Sequence, residues 1–261
     1  MVTGAGGGIG RCVAHELSSL GAQVVLSGRT EAKLEAVARE LAPRSTEILT
    51  LDIRRPEAVD SAFSALSERI ERLHGLVNCA GGQFAAPASS ISQRGFDAVI
   101  ETNLRGTWAC CRAAYDRFFA MNGGAIVNVT ADHRRGMPMM AHSGAARAGV
   151  ENLTMTLAIE WASQSVRVNA VAPGIIQSSG LDTYPEPVQT ILRELPAQLP
   201  MGRFGTVAEV SAAVGFLLST AASYITGATL HVDGGSSLMG PLHPRFRGQP
   251  TSAYHGWDDA D

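Results

Sequence analysis

The segment Thr3-Gly4-Ala5-Gly6-Gly7-Gly8-Ile9-Gly10 decides the fold. It stands between a short β-branched start and a helical stripe, Ile9, Val13, Leu17 and Leu20, that Gly21 ends. Glycines at a strand-to-helix turn let backbone N–H groups approach a pyrophosphate, and the amino end of the helix favours its charge. The spacing is not G-x-G-x-x-G, because counted from Gly4 the place of the third glycine is held by Ile9. Only Met1, Val2 and Thr3 precede Gly4, fewer than an ordinary strand has, so a weak first strand is expected. Either the start is placed too late or the strand is naturally short.

Outward from the turn, short β-branched runs alternate with segments of three-and-four spacing. Val24 to Leu26, Ile48 to Asp52, Leu76 to Ala80, Ala125 to Thr130, Arg167 to Ala172 and Ala228 to Val232 read as strands after the first. Thr30 is placed to cap a helix marked by Leu34, Val37, Ala38 and Leu41, and Val59, Phe63, Leu66, Ile70 and Leu73 mark the next. Longer helices are predicted over about Val99 to Ala120 and Ser143 to Ala162, with another from about Val207. This βαβα order predicts an α/β, Rossmann-type, doubly wound parallel sheet of seven strands in a single domain. The domain is expected over residues 1–240. Within it, 177–204 holds four prolines and follows the sixth strand on the ligand-binding edge, so it reads as a substrate loop. Residues 241–261, with Pro241, His243, Pro244, Arg245, Arg247, Pro250 and the acidic Asp258, Asp259 and Asp261, read as an irregular tail on the surface or on a neighbouring subunit.

Composition excludes several classes. The 261 residues carry a net charge of −3 and are 45% hydrophobic and 17% charged, which fits neither a basic nucleic-acid binder nor a disordered chain. No run of about 20 apolar residues occurs, and Met1 to Gly10 lacks a signal-peptide pattern, so no membrane role and a cytoplasmic location are expected. Cys12, Cys79, Cys110 and Cys111 form no CxxC pair, and no metal is expected. Of the 21 basic residues only Lys33 is a lysine.

The turn matches T-G-x-x-x-G-I-G, and the chain resembles the short-chain dehydrogenase/reductase family from Met1 to about Gly240. Asp52-Ile53, Asn78-Cys79-Ala80-Gly81, Asn103, Pro173-Gly174-Ile175-Ile176-Gln177-Ser178 and Val232-Asp233-Gly234-Gly235 follow in the family's order. The resemblance implies that Gly4, Gly8, Ile9, Gly10, Asp52, Ile53, Asn78, Ala80, Gly81, Pro173, Gly174, Ile176 and Ser178 hold a nicotinamide cofactor, and that Asn103 is catalytic, holding a helix kink and a water chain. The second strand ends at Ser27-Gly28-Arg29 without a carboxylate, and an arginine there can pair with a 2′-phosphate, so NADP(H) is the expected cofactor.

One departure narrows the reaction. The family's carbonyl reductases carry a serine, a tyrosine about thirteen residues on, and a lysine four after that; here those places hold Thr130, Ser143 and Arg147. Arg147 keeps a cation for the nicotinamide ribose, but Ser143 lacks the acidity of a phenol. Ala141 to Val150 resembles the corresponding segment of peroxisomal trans-2-enoyl-CoA reductases, and Asn78 to Pro87 resembles theirs and that of dienoyl-CoA reductases. The expected activity is NADPH-dependent reduction of the C2–C3 double bond of an acyl-CoA thioester, with Thr130 and Ser143 as donors to the thioester oxygen and His142 as a lesser candidate for proton relay. A dienoyl-CoA or 3-oxoacyl reductase, or a cofactor-binding homologue without catalysis, is the alternative. Asp132, His133, Arg134 and Arg135 follow the fifth strand, where arginines could meet CoA phosphates. The two long helices resemble those that pair between subunits in the family, which implies a homo-tetramer.

Overall fold

Alternation along each strand builds two apolar layers. Val24 and Leu26 face one side with Val77 and Val127, while Val25, Leu76 and Ile126 face the other. The computed structural model describes residues 1–178, 181, 184, 186–240 and 250–256. Seven parallel strands form the main sheet: β1 (Val2–Thr3), β2 (Val24–Gly28), β3 (Thr46–Thr50), β4 (Gly75–Asn78), β5 (Gly124–Val129), β6 (Val166–Pro173) and β9 (Thr229–Val232). Their order is β3-β2-β1-β4-β5-β6-β9, so the winding direction reverses between β1 and β4. That reversal opens a crevice at the carboxyl ends of the strands. Two short strands, β7 (Ile176–Gln177) and β8 (Gly205–Thr206), pair beside it.

Helices α1 (Gly8–Ser19), α2 (Glu31–Glu40) and α9 (Val207–Leu218) cover one face; α3 (Pro56–Ser67), α5 (Gly106–Ala114) and α7 (Ala141–Glu160) cover the other. Phe63, Phe118, Phe119 and Leu157 are almost wholly buried in the second layer, each such side chain contributing about 1.5–3 kcal/mol by area. The long helix before β5 begins at Gln93, earlier than its apolar pattern predicts, because the Ser92 hydroxyl caps it by accepting from Gly95 N. It runs as α4 (Gln93–Ile100), a π turn over Glu101–Arg105, α5, a second π turn over Tyr115–Phe119, and α6 (Ala120–Asn122).

Three further expectations shift. The third helix stops at Ser67, with Arg69 N and Ile70 N both donating to Leu66 O, and Leu73 reaches the core from the following turn. Thr30 stands at the start of α2 but its side chain makes no capping bond. The stretch 177–204 contains a helix, α8 (Glu186–Glu194), that its prolines concealed. Pro187 falls in the first turn, where a missing N–H costs the helix nothing. Tail residues 241–249 and 257–261 lie outside the described residues. Residues 250–256 dock on their own chain: Arg203 donates to Thr251 O and Ser252 O, and the Thr206 hydroxyl to Tyr254 O. Among the described residues no helix is long and apolar enough to cross a membrane.

A buried polar string ties the sheet to α7. Asn78 Nδ2 donates to Asn128 Oδ1 (2.9 Å) and Asn128 Nδ2 to Thr154 Oγ1 (2.9 Å), while the Thr154 hydroxyl donates to Val150 O (2.8 Å). Removing its middle strands buried groups on both sides. Asn128→Ala is expected to lower stability by about 2–3 kcal/mol, read as a lower urea midpoint at unchanged slope.

Candidate active site

The crevice is a cavity of about 930 Å³ lined from the glycine turn, the ends of β2, β4, β5 and β6, α7 and α8. That is room for a ligand of dinucleotide class. Two glycines make its floor possible. Gly4 has φ +70°, and a Cβ there would lie 2.8 Å from Ala80 Cα; a Cβ at Gly10 would lie 2.3 Å from Gly4 O. Short β1 is reinforced by a side chain, since the Thr3 hydroxyl accepts from the N–H groups of Cys79 and Ala80 and donates to Val77 O.

Of the predicted cofactor residues, Gly4, Ile9, Gly10, Arg29, Asp52, Ile53, Ala80, Gly81, Arg147, Pro173, Gly174, Ile176 and Ser178 line this cavity. Gly8 and Asn78 do not. Gly8 opens α1, and the Asn78 side chain turns into the buried string, where it also donates to Cys111 Sγ. Asp52 is tied down by Arg54, whose Nε donates to Oδ1 (2.9 Å), and this guanidinium holds the carboxyl well below its usual range, at about 2. Gly174 lies against Asp233, whose carboxylate accepts from Gly235 N and Ser237 N and so fixes the turn after β9.

The end of β2 carries cations and no carboxylate. Arg29 and Lys33 line the cavity beside Ser27, whose buried hydroxyl oxygen has no hydrogen-bond partner among the described residues. Arg147 is the second group left short of partners. Its Nη1 donates to Val129 O (2.9 Å), Nη2 leaves no space for a Cβ at Gly81, and Nε is enclosed without a partner among the described residues. Desolvation lowers its pKa from the ordinary value. The neighbouring Cys79 cannot balance the charge, because burial pushes that thiol up to about 12. A half-buried cation whose enclosed Nε lacks a partner among the described residues, and the glycine floor, fit the ribose and pyrophosphate of a nicotinamide dinucleotide.

Asn103 is fully buried at the π turn and clamps Gly82 from both sides: its Oδ1 accepts from Gly82 N and its Nδ2 donates to Gly82 O, each at 2.9 Å. Its own carbonyl accepts from the Thr107 hydroxyl (2.8 Å), so Asn103 shapes the cavity wall without lining it. Thr130 lines the cavity, but its hydroxyl lies 3.2 Å from Val171 O and 3.4 Å from Glu151 Oε1. Ser143 is buried behind the wall and its hydroxyl donates to Gln83 Oε1 at 2.6 Å. Both hydroxyls expected to face a thioester therefore have acceptors in the protein. His142 is buried too. Its Nδ1 accepts from Ser143 N, its ring packs edge-on against Phe84, and desolvation lowers its pKa, so it stands away from the cavity as a neutral imidazole.

Sequence reasoning missed three groups. Gln83 lines the cavity and its Nε2 donates to the Tyr184 hydroxyl (3.2 Å), which lines it too. Glu151, one turn beyond Arg147, sits between Thr130 and His133 Nε2, the latter 3.1 Å away. Glu151 could be found from its i+4 spacing on α7; Gln83 and Tyr184 have no local signal.

Comparison with known proteins agrees with this geometry. Residues 4–237 match the short-chain dehydrogenase/reductase group described as enoyl-(acyl carrier protein) reductase. The chain is 36% identical to the peroxisomal, (3E)-enoyl-CoA-producing 2,4-dienoyl-CoA reductase of Pongo abelii, covering 92% of this chain and 84% of that one. It is 35% identical to a probable (2E)-enoyl-CoA-producing 2,4-dienoyl-CoA reductase of Bacillus subtilis strain 168, covering 91% and 96%. Among solved structures, the citronellol catabolism dehydrogenase AtuB of Pseudomonas aeruginosa PAO1 superposes with a TM-score of 0.81 at 45% identity, over 90% of this chain and 93% of that one. With the fold, the glycine turn and these relatives in agreement, the chain belongs to the short-chain dehydrogenase/reductase family of oxidoreductases, which use nicotinamide cofactors.

Proposed function

We propose that this protein is an NADPH-dependent reductase of a carbon–carbon double bond conjugated to a CoA thioester. The observation that carries the reading is Ser143, buried, bonded to Gln83, and standing four residues before Arg147 where a carbonyl reductase needs a phenol. A bound nicotinamide supplies hydride. The chain's own groups bind, orient and exclude water. Gly4, Gly10 and Gly174 give the backbone close approach, Arg147 in the cavity wall supplies a cation for the nicotinamide ribose, and Asn103 holds Gly82 beside it. Addition of hydride to the conjugated system places negative charge on the thioester oxygen, which needs a donor in a dry pocket. The residues alone put 2-enoyl thioesters first; the names of the relatives from Pongo abelii and Bacillus subtilis move the weight to 2,4-dienoyl thioesters, which pass through the same kind of enolate. A second reading, dehydrogenation in citronellol breakdown, is favoured by the 45% identity to AtuB.

Arg29 and Lys33, with no carboxylate at the end of β2, favour the 2′-phosphate of NADPH over the free hydroxyl of NADH. Exposed Arg134, in the loop after β5, is the residue we assign to a CoA phosphate. Trp108, Met155 and Ile159 expose apolar surface on α5 and α7, 41%, 47% and 80% respectively. This is the surface we assign to contact with a second copy in a homo-tetramer.

With NADPH, the protein is expected to reduce 2,4-decadienoyl-CoA, decenoyl-CoA or both, followed by loss of NADPH absorbance; turnover only of 3-oxoacyl-CoA with NADPH, or only of citronellol with NADP+ or NAD+, would overturn the reading. Cofactor binding supplies a second check. Arg29→Asp is expected to raise the NADPH Kd at least about tenfold while sparing NADH, and Arg147→Met to weaken both by about 10- to 100-fold, as loss of charge-assisted bonds predicts. Equal affinities in wild type and variants, measured by nucleotide fluorescence, would remove those roles. Sedimentation should give a tetramer, and Trp108→Glu a smaller species; a monomeric wild type would dismiss the α5/α7 contact.

A further inference from the structure

The tyrosine missing from α7 has a counterpart that comes from elsewhere in the chain. Tyr184, in the loop before α8, lines the cavity with Leu181, Val188 and Leu192, and its hydroxyl lies 3.2 Å from Gln83 Nε2. Gln83 Oε1 in turn accepts the Ser143 hydroxyl at 2.6 Å. The chain Ser143–Gln83–Tyr184 thus runs from the helical position where a phenol is lacking to a phenol on the opposite wall. Its direction matters. Ser143 donates to the amide oxygen, which orients the amide so that its N–H donates to the phenol oxygen, and the phenolic hydrogen, with no acceptor among the described residues, is left for a ligand.

The Asp132 carboxylate also lines the cavity and accepts from the Ser236 hydroxyl (3.5 Å), and three other candidate groups are engaged or unsuited. The Thr130 hydroxyl faces Val171 O and Glu151, His142 stands behind the wall, and the Cys79 thiol is held unreactive by burial. We propose that Tyr184 is the catalytic acid of this protein, delivering the proton that completes reduction of the conjugated thioester, with Gln83 and Ser143 as positioning residues. This rests on the function proposed above. Two electrons and one hydrogen arrive as hydride on the carbon chain, the π electrons move onto the thioester enolate, and the enolate's α-carbon forms its new C–H bond with the Tyr184 proton as the O–H bond breaks. The phenolate keeps the electron pair, is stabilised by the Gln83 N–H, and regains a proton from water.

The test is Tyr184→Phe, which keeps the ring. Wild-type and variant protein are compared with NADPH and 2-enoyl- and 2,4-dienoyl-CoA in deuterium oxide. Tyr184→Phe is expected to lower kcat about 100-fold and leave the NADPH Kd unchanged. The deuterium at the α-carbon, confined to one face in the wild type, should be scrambled between both, because water then protonates from either side. Gln83→Met should also lower kcat, by about tenfold, while deuterium stays on one face. Full turnover with one-face labelling in Tyr184→Phe would overturn the acid and leave the proposed function standing. A wild type that turns over neither thioester would overturn both.

Discussion

The close approach of Gly4 to Ala80 is the constraint on which the rest of this site depends. Two backbones meet where a methyl group at residue 4 would sit 2.8 Å from Ala80 Cα, and only glycine there combines that contact with φ +70°. A two-residue β1 has little main-chain pairing with which to hold such a meeting. The Thr3 hydroxyl supplies what is missing by accepting two N–H groups from the end of β4. Once β4 is held, Gly81 and Gly82 fall between Arg147 and Asn103, and the crevice at the sheet's switch point has its floor.

Charge then determines what that floor receives. Arg147 is half-buried with its Nε enclosed, it pairs with no carboxylate among the described residues, and the nearby thiol stays neutral. An uncompensated, partly buried cation is costly, so a site that keeps one is organised around a polar or anionic ligand. At the far end, Asp52 is already neutralised by Arg54, which leaves Arg29 and Lys33 as the cations facing the cavity. Cations from α2, the end of β2 and α7 thus line the same cavity as the backbone of the glycine turn.

The substitution at 143 changes more than one residue. A phenol rising from α7 would occupy the space that Gln83 now reaches across, so Ser143 is compatible with a different wall of the cavity, one shared with the loop before α8. Local hydrogen bonding and reaction class are linked here. Reduction of a carbonyl demands a proton at oxygen, whereas reduction of a conjugated thioester leaves an enolate that can be protonated at carbon from another direction, which in the proposal above is the wall carrying Tyr184.

Much of this was legible in the residues. The strand-helix alternation placed all seven strands of the sheet, the glycine segment located the crevice, and the spacing from Arg147 exposed the absent tyrosine at Ser143. Those features are local, because a strand's period, a turn's need for positive φ and an offset of four on a helix are written in adjacent residues. Helix α8 was concealed because proline reads as a breaker, although it is tolerated in a first turn. The direction of Asn78 into the interior, the engagement of the Ser143 hydroxyl by Gln83, and the arrival of Tyr184 were decided by tertiary structure alone. The last two bonds join residues 60 and 101 positions apart. No short-range pattern encodes such a pairing, since it exists only when β4, α7 and the loop after β6 are folded against one another.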